Sequence, residues 1–487
     1  MTARLSELIA RPVQPDPVIT GVTADSRKAG PGVLFAALPG TVADGRSFIP
    51  AALKAGAAAI LAPDDIHDLS VPVVHAGDLR RAYALAAARF WGAQPATCVA
   101  VTGTNGKTSV AAFCRQVFAA LGRKAASMGT LGVVVSAPGE PDLAITPPGL
   151  TTPDAADVAR LMAQLAEMGV THLALEASSH GIDQRRIEGV RLKAAGFTNF
   201  TQDHLDYHGT MEAYRAAKLR LFEALLPQGS TAVLNADSDA YPVFAGVAAT
   251  HGHAIVATGT TGEGIRLVHR EPTPQGQTLT LAHRGQSHTV RLPLAGAFQA
   301  ENVLVAAGLC IAAGEQPAAV FAALERLVGA PGRLQRIGAG PRGGEAYVDY
   351  AHTPDGLETV LTALRPHTRG KLIAVFGCGG DRDAGKRPIM GEIGARLADV
   401  AIVTDDNPRS EDPAAIRAAI LAAAPGAREI GDRRQAIRAG AALLEDGDVL
   451  VIAGKGHEQG QIVAGVTHPF DDVAETADAL GLEGADD

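Results

Sequence analysis

The chain has 487 residues, 47% of them hydrophobic, which suffices for about three domains and a large buried core. Its formal net charge is −9, from 43 Lys and Arg against 52 Asp and Glu, and no Lys/Arg block stands out, which argues against a dedicated nucleic-acid surface. Four scattered cysteines (Cys98, Cys114, Cys310, Cys378) show neither CxxC nor metal-ligand spacing and read as reduced, mostly buried thiols; with no signal-peptide pattern and no run of ~20 apolar residues, a cytoplasmic protein without membrane insertion is predicted.

The first block runs to about Ala96. Short apolar runs, PGVLFAALPG and AAAILAP, alternate with helical stretches, and the boundary falls near Gln94-Pro95. The second block, 97–332, opens with VAVTGTNGKTSVAAF, Val99 to Phe113. An apolar strand enters a tight turn of Gly103, Thr104, Asn105, Gly106, Lys107, Thr108 and Ser109, and a helix follows. Inward-pointing N–H groups and the helix N-terminus suit a nucleotide triphosphate there. Lys107 can reach the β/γ-phosphates and the Thr108 hydroxyl can ligate Mg²⁺. Val101 stands where the full phosphate-loop pattern has its first Gly.

Strands at THLALEASS, AAGFTNF and STAVLNAD alternate with helices such as AADVARLMAQLAEMG, which predicts a parallel sheet wrapped by helices. Glu176, at the end of the first of these strands, can face the phosphates and hold Mg²⁺ through oxygen; a Ser pair capping a helix beside a chance Glu explains the segment as well. NFTQDHLDYH, Asn199 to His208, gathers Asp203, His204, Asp206 and His208 in one loop, a density that favours a metal or catalytic role over a solvated loop. Lys218, in EAYRAAKLRLFEAL, reads from its surroundings as a helix-surface lysine. From Thr258 to Pro293 the pattern alternates more and predicts antiparallel strands. The helix NVLVAAGLCIAAG follows.

The third block, 333–487, has strands at KLIAVFG, VAIVTDD and DVLVIAGKG separated by helices, a second open α/β sheet. Ligands of such sheets sit beyond the carboxyl ends of the strands. Asp349 and His352, in VDYAHTPD, lie where a ribose and a nucleotide can be contacted, or form a plain strand-end turn. Three further strand ends carry GCGGDRD, DDNPR and GKGHE. Arg382 and Arg409 offer planar forks for a carboxylate, and the acids suit an ammonium. Together they fit a small zwitterion.

With these residues assembled, the chain resembles the Mur ligases over essentially its whole length. The resemblance rests on TGTNGKTS, TTPD, EASSHGIDQRR, FTNFTQDHLDYHGTMEAYRAAK, GAFQAENVLVA, PGRLQRI, DYAHTPD, FGCGGDRDAGKRPIMG, DDNPRSEDP and GKGHEQGQ. It implies three α/β domains: a uridine-nucleotide-binding domain over 1–96, a central P-loop-type ATPase over 97–332 and a Rossmann-like domain over 333–487 that presents the incoming amino acid. Within the family the pattern is most similar to members that use ATP and Mg²⁺ to add meso-2,6-diaminopimelate to UDP-N-acetylmuramoyl-L-alanyl-D-glutamate, in peptidoglycan synthesis. The resemblance implies that Glu176 and His204 ligate Mg²⁺ and that Lys218 is carried as a carbamate, a further oxygen ligand. It places Asn302, Arg333 and Asp349 near adenine and ribose. Ala24, Ser26, Thr41, Val42 and Ala43 fall at the uridine diphosphate, and Thr151, Thr152, Ser178, Gln184 and Arg186 at the muramoyl dipeptide. Arg382, Asp406, Asn407, Pro408, Arg409, Gly454 and Glu458 match the diaminopimelate pocket.

His352 is one candidate to take the incoming amine's proton and water is another. Leu150 and Gln299 depart from the family pattern, each standing where Asn is more usual. A lysine-adding Mur ligase and a folylpolyglutamate-synthase-like ligase are the rival enzymes. Asp406 to Arg409 argue against the first and the N-terminal nucleotide block against the second. An ATP-binding regulatory or scaffolding protein is the non-enzymatic rival. A monomer is expected.

Overall fold

The computed structural model describes residues 1–40, 44–147, 149–273 and 275–482. It divides into two compact units, Met1–Ile265 with Val305–Val320, and Arg266–Leu304 with Phe321–Asp487. The fold is α/β, as the alternation of apolar strands and amphipathic helices predicts. Among the described residues no helix is long and apolar enough to cross a membrane. All four cysteines are free and buried.

The first unit holds a short antiparallel pair, Ala3–Arg4 with Val18–Ile19, and two larger sheets. The N-terminal one is four parallel strands, Gly21–Thr23, Val33–Ala36, Ala59–Ala62 and Val73–His75. The helix Leu79–Trp91, capped by Asp78, buries Tyr83, Ala84, Ala86 and Phe90 in its core. The larger sheet runs Leu143–Thr146, Gly132–Ser136, Ala125–Gly129, His172–Glu176, Thr97–Thr102, Leu192–Phe197, Thr231–Asn235, Ala254–Gly259. Its first two strands pair antiparallel at the edge and the others are parallel. Thr97–Thr102 therefore lies between His172–Glu176 and Leu192–Phe197, and its carboxyl end opens at the point where the chain reverses its direction of winding. That is where open parallel sheets bind ligands. Strands buried on both faces read as continuous apolar runs, and TCVAVT and LALE do so.

The second unit begins one residue into the strand Ile265–Thr273, which pairs antiparallel with Gly276–His283, itself antiparallel to Gln286–Leu292, as the alternating pattern predicts. Its main sheet runs Gln335–Ala339, Glu345–Asp349, Val449–Ala453, Leu372–Phe376, Val400–Val403, Arg428–Glu429, parallel except for the first pair. A hairpin, Gly460–Val463 with Val466–Pro469, lies beyond the strand Val449–Ala453.

Candidate functional site

The strand Thr97–Thr102 ends at Gly103, and the helix Lys107–Ala120 begins four residues later. Lys107 folds back over this turn: its Nζ donates to the carbonyl oxygens of Gly103 at 2.9 Å and Thr104 at 2.7 Å. The neighbouring strand end pins the turn, since Asn105 N–H donates to Asn199 Oδ1 at 2.9 Å and the Thr198 hydroxyl donates to Asn105 O at 2.6 Å. The turn is thus held open with the helix N-terminus behind it, an arrangement that favours anions.

Glu176 ends the strand on the other side and is buried. Its Oε2 accepts from the Thr108 hydroxyl at 3.0 Å and its Oε1 from Thr130 N–H at 2.8 Å. Gly129 makes this possible, because a methyl group at that position would overlap Oε1. Thr108 and Glu176 thereby offer hard oxygen donors side by side. Mg²⁺ binds through one or two carboxylates and retains several waters, and this pair suits it. Among the described residues no group of three or more His, Cys, Asp or Glu is gathered to hold a metal ion.

Lys218 is not the surface lysine that its local sequence predicts. It is 1% exposed, because the helix Met211–Arg220 turns this face onto the phosphate turn. Its Nζ donates to Gly103 O at 2.6 Å and sits 4.4 Å above the Tyr214 ring. Tyr214 in turn shares a hydrogen bond with Thr104 Oγ1 at 3.2 Å. Burial, reinforced by the nearby Lys107 charge, holds the Lys218 amine well below the usual lysine range.

His204 has a left-handed backbone (φ 51) at the start of the short helix Leu205–His208. Its ring lies edge-on to His180 at 4.8 Å and its Nε2 is 3.4 Å from Asp203 Oδ2. His180 also packs on Tyr207 and His208. The loop thus gathers three histidines, of which His180 comes from the preceding helix Ser179–Asp183. Asp206 is exposed.

Thr151, Thr152, Ser178, Gln184 and Arg186 form one hydrogen-bonded path leading away from Glu176. Thr151 shares a hydrogen bond with Thr130, and Thr152 donates to the Glu176 carbonyl and pairs with Ser178. Ser178 also caps its helix through Gly181 N–H, so the capping reading holds together with the clustering. Arg186 donates to Thr152 O at 2.7 Å and to Gln184 Oε1 at 2.8 Å, which leaves the Gln184 amide to donate to Tyr207 OH. Ala24 and Ser26 line a cavity of about 1140 Å³ together with Phe90, Trp91, Leu150 and Arg160. Leu150, a departure from the family pattern, is on that wall. Thr41, Val42 and Ala43 lie outside the described residues.

In the second unit, Asp349 is buried, and its two oxygens accept from Leu334 N–H at 2.6 Å and Ala351 N–H at 2.7 Å. Burial nonetheless pushes its carboxyl up to about 6, against the pull of Arg333 and these N–H groups. The Arg333 guanidinium lies 4.7 Å over the Tyr350 ring. Gln299, the other departure, donates to Arg333 O and accepts from Asn302, so it joins these two residues. His352 is exposed, with Nδ1 2.9 Å from Tyr350 O.

Asp406, Asn407, Pro408 and Arg409 follow the strand Val400–Val403. Asp406 is 6% exposed and its Oδ2 has no hydrogen-bond partner. Gly454 (φ 129) faces that oxygen, and a side chain there would strike it. Asn407 donates to Glu458 Oε2 at 2.9 Å. Arg409 takes a left-handed backbone (φ 54), held on both sides by the hairpin: its N–H donates to Ile462 O and its carbonyl accepts from Ala464 N–H. One arm of its guanidinium donates to Gly380 O at 2.8 Å. Arg382 is exposed. The fork thus divides into one anchored and one solvated arginine. A second buried cation, Lys455, touches both Asn407 and Glu458. Reading the residues in order passes over it, because nothing in GKGHE distinguishes a buried lysine from an exposed one. Arg433 and Asp472 form an ion pair nearby, both fully buried, and Arg433 also donates to Ala453 O at 3.1 Å.

Three family models match the chain: "Mur ligase family, catalytic domain" over residues 18–89, "Mur ligase middle domain" over 101–310 and "Mur ligase, glutamate ligase domain" over 332–456. A UDP-N-acetylmuramoyl-L-alanyl-D-glutamate--2,6-diaminopimelate ligase of Caulobacter vibrioides is 73% identical over 487 residues, all of both chains. The ligase of the same name from Agrobacterium fabrum is 52% identical over 468 residues, 96% of this chain and 94% of that one. A solved structure of a UDP-N-acetylmuramoyl-L-alanyl-D-glutamate--2,6-diaminopimelate ligase superposes with a TM-score of 0.75 at 34% identity, covering 99% of each chain.

Proposed function

The chain belongs to the Mur ligase family, and we propose from that premise that it is the ligase that adds meso-2,6-diaminopimelate to UDP-N-acetylmuramoyl-L-alanyl-D-glutamate with ATP, in peptidoglycan precursor synthesis. The observation that carries this reading is the 73% identity, without loss at either end, to a ligase of that name. The proposed domains are 1–96 for the uridine nucleotide, 97–332 for ATP and the chemistry, and 333–487 for the amino acid. The proposed working form is a cytoplasmic monomer.

Joining a carboxylate to an amine in water is uphill, so the acid must be activated. The D-Glu γ-carboxylate attacks the ATP γ-phosphorus, the bond to the bridging oxygen breaks, and ADP leaves. The acyl phosphate formed is then attacked by the free diaminopimelate amine, which makes the amide and expels phosphate. Two anions meet in the first step. Lys107 and the turn N–H groups at Gly103 to Ser109 lower that repulsion and hold the transferring charge. Mg²⁺, when bound through Thr108, Glu176, His204 and Lys218 as its carbamate, supplies Lewis-acid stabilisation of the phosphoryl oxygens. Lys218 suits carbamate formation because a buried amine below its usual pKa is available as the neutral nucleophile that adds to CO₂. Thr151, Thr152, Ser178, Gln184 and Arg186 orient the muramoyl dipeptide, and Ala24 and Ser26, with Thr41 to Ala43, take the uridine diphosphate. Asn302, Arg333 and Asp349 receive adenosine. Arg382, Asp406 to Arg409, Gly454 and Glu458 receive diaminopimelate, whose far carboxylate distinguishes it from lysine. His352 or water accepts the amine proton.

The test is turnover with purified protein, ATP, Mg²⁺, the UDP-dipeptide and either meso-diaminopimelate or L-lysine. Release of ADP with a UDP-tripeptide in the first mixture is the expected result. Product only with lysine, or ADP release that no amino acid stimulates, overturns it.

A further inference from the structure

Lys455 is the second residue past the strand Val449–Ala453, yet it has no accessible surface. A lysine so buried is rare unless paired. Its Nζ donates to Asn407 Oδ1 at 2.9 Å and lies 3.3 Å from Glu458 Oε2. Asn407 Oδ1 also accepts from Ile462 N–H at 2.9 Å, and its Nδ2 donates to the same Glu458 oxygen. The three side chains close a ring. Two donors converge on Asn407 Oδ1, which fixes which way the amide faces, and two converge on Glu458 Oε2, which leaves Oε1 as the open oxygen of a partly exposed carboxylate.

The charges complete the pattern. Asp406 and Glu458 bring two negative charges and Lys455 brings one positive charge, while Arg433 and Asp472 cancel each other in a buried pair. Lys455 offsets Glu458, and the buried Asp406 Oδ2 has no donor. A buried carboxylate oxygen without a donor matches one ammonium group, and the Arg409 fork matches a carboxylate. With Lys455 absent, the Glu458 charge would be uncompensated and Asn407 alone would hold its side chain.

We infer that Lys455 is a positioning and specificity-determining residue for the incoming amino acid: it never touches the ligand, but orients Asn407 and Glu458 and offsets the charge of Glu458. The inference rests on the proposed assignment of diaminopimelate to this pocket.

Steady-state kinetics of Lys455→Met and Lys455→Gln test it, with each substrate varied in turn. Lys455→Met is expected to raise the KM for diaminopimelate about tenfold or more, since a charge-assisted hydrogen bond is lost. The KM values for ATP and the UDP-dipeptide stay within about twofold and kcat within about threefold, because binding and not the transition state is changed. Lys455→Gln, which can still donate to Asn407 Oδ1, gives a smaller rise. A merely structural role predicts something else: a lower active fraction, with all three KM values unchanged. That result, or a loss of kcat at unchanged KM for diaminopimelate, overturns the inference, as does failure of both variants to fold, which would make Lys455 a support of the fold. If the unmodified protein builds no tripeptide from diaminopimelate, the assignment of the pocket has failed instead, and that is visible before any variant is made.

Discussion

Lys218 Nζ donates to the carbonyl oxygen of Gly103 at 2.6 Å, and that oxygen also accepts from Lys107 at 2.9 Å. One backbone carbonyl therefore joins the helix Met211–Arg220 to the phosphate turn. Two full positive charges at this spacing in a buried site would repel strongly. The same repulsion from Lys107, added to burial, holds the Lys218 amine below its usual range.

Replacing Lys218 by Met tests its proposed role as a carbamate. Turnover is expected to fall by about two orders of magnitude or more, as befits loss of a metal-ligand arm. Thermal unfolding should change little, since an apolar side chain of similar length replaces the buried lysine. Wild-type protein supplied with isotopically labelled bicarbonate should show a carbamate carbonyl resonance that the variant lacks. Full activity in Lys218→Met would remove the lysine from the chemistry.

Gly129 makes a less obvious prediction. It is not a ligand, but its missing side chain is the space that Glu176 Oε1 occupies. Gly129→Ala should displace the carboxylate from Thr108 and Thr130 while leaving the sheet register intact. We expect a fall in kcat of about tenfold to a hundredfold, the scale on which small misplacement of a reacting group costs rate, and a shift of the Mg²⁺ requirement to higher concentration. Kinetics measured over a magnesium titration decide it; an unchanged titration would show that Glu176 does not act through the metal.

What could be read in advance follows the range of the interaction. The phosphate turn was legible because strand, glycines, lysine and helix are contiguous, from Val99 to Phe113. The antiparallel strands after Thr258 were legible because alternation is local. Lys218 was not, since its burial depends on Gly103, 115 residues earlier in the chain. Lys455 escaped for the same reason: Asn407, its partner, lies 48 residues away. Thr130 was missed because its shorter bond to Glu176 is made by a backbone N–H, which carries no residue signature. The resemblance to the Mur ligases pointed to Lys218, but only the packing shows why its amine is set apart from other lysines.

His367 supplies a pH dependence of stability. Gly296 N–H donates to its Nε2 at 3.0 Å and its Nδ1 lies 2.9 Å from Thr273 O, so the ring is a neutral tautomer with both nitrogens engaged. Burial lowers its pKa below the unfolded value of 6.5. The sign follows. Above pH 6.5 both states are neutral and the contribution is complete. As pH falls below 6.5 the unfolded chain takes up a proton that the folded chain refuses, and stability is lost until the folded pKa is passed. The slope for one such group is at most about 1.4 kcal/mol per pH unit. His367→Gln, which can keep both hydrogen bonds without titrating, should flatten the melting temperature between pH 6.5 and pH 5 (about one proton's worth) relative to the unmodified protein. Calorimetric melts over that interval check it, and identical slopes in the two proteins would refute it.

Arg409 carries the proposed choice of diaminopimelate over lysine. Its backbone is locked by two hairpin hydrogen bonds, and one guanidinium arm is tied to Gly380 O, so the remaining donors are preorganised on a half-buried side chain. A planar fork held in this way suits a carboxylate, and an unpaired arginine in such a place is costly unless an anion arrives. Arg409→Ala should raise the KM for diaminopimelate by an order of magnitude or more, about 2 kcal/mol, while the KM for ATP is unchanged. Lysine, which lacks the far carboxylate, has nothing to lose at this position. The ratio of kcat/KM for diaminopimelate to that for lysine should therefore fall by the same factor. A variant at Arg409 that keeps the full preference for diaminopimelate would assign the far carboxylate to another residue, with Arg382 the next to be replaced.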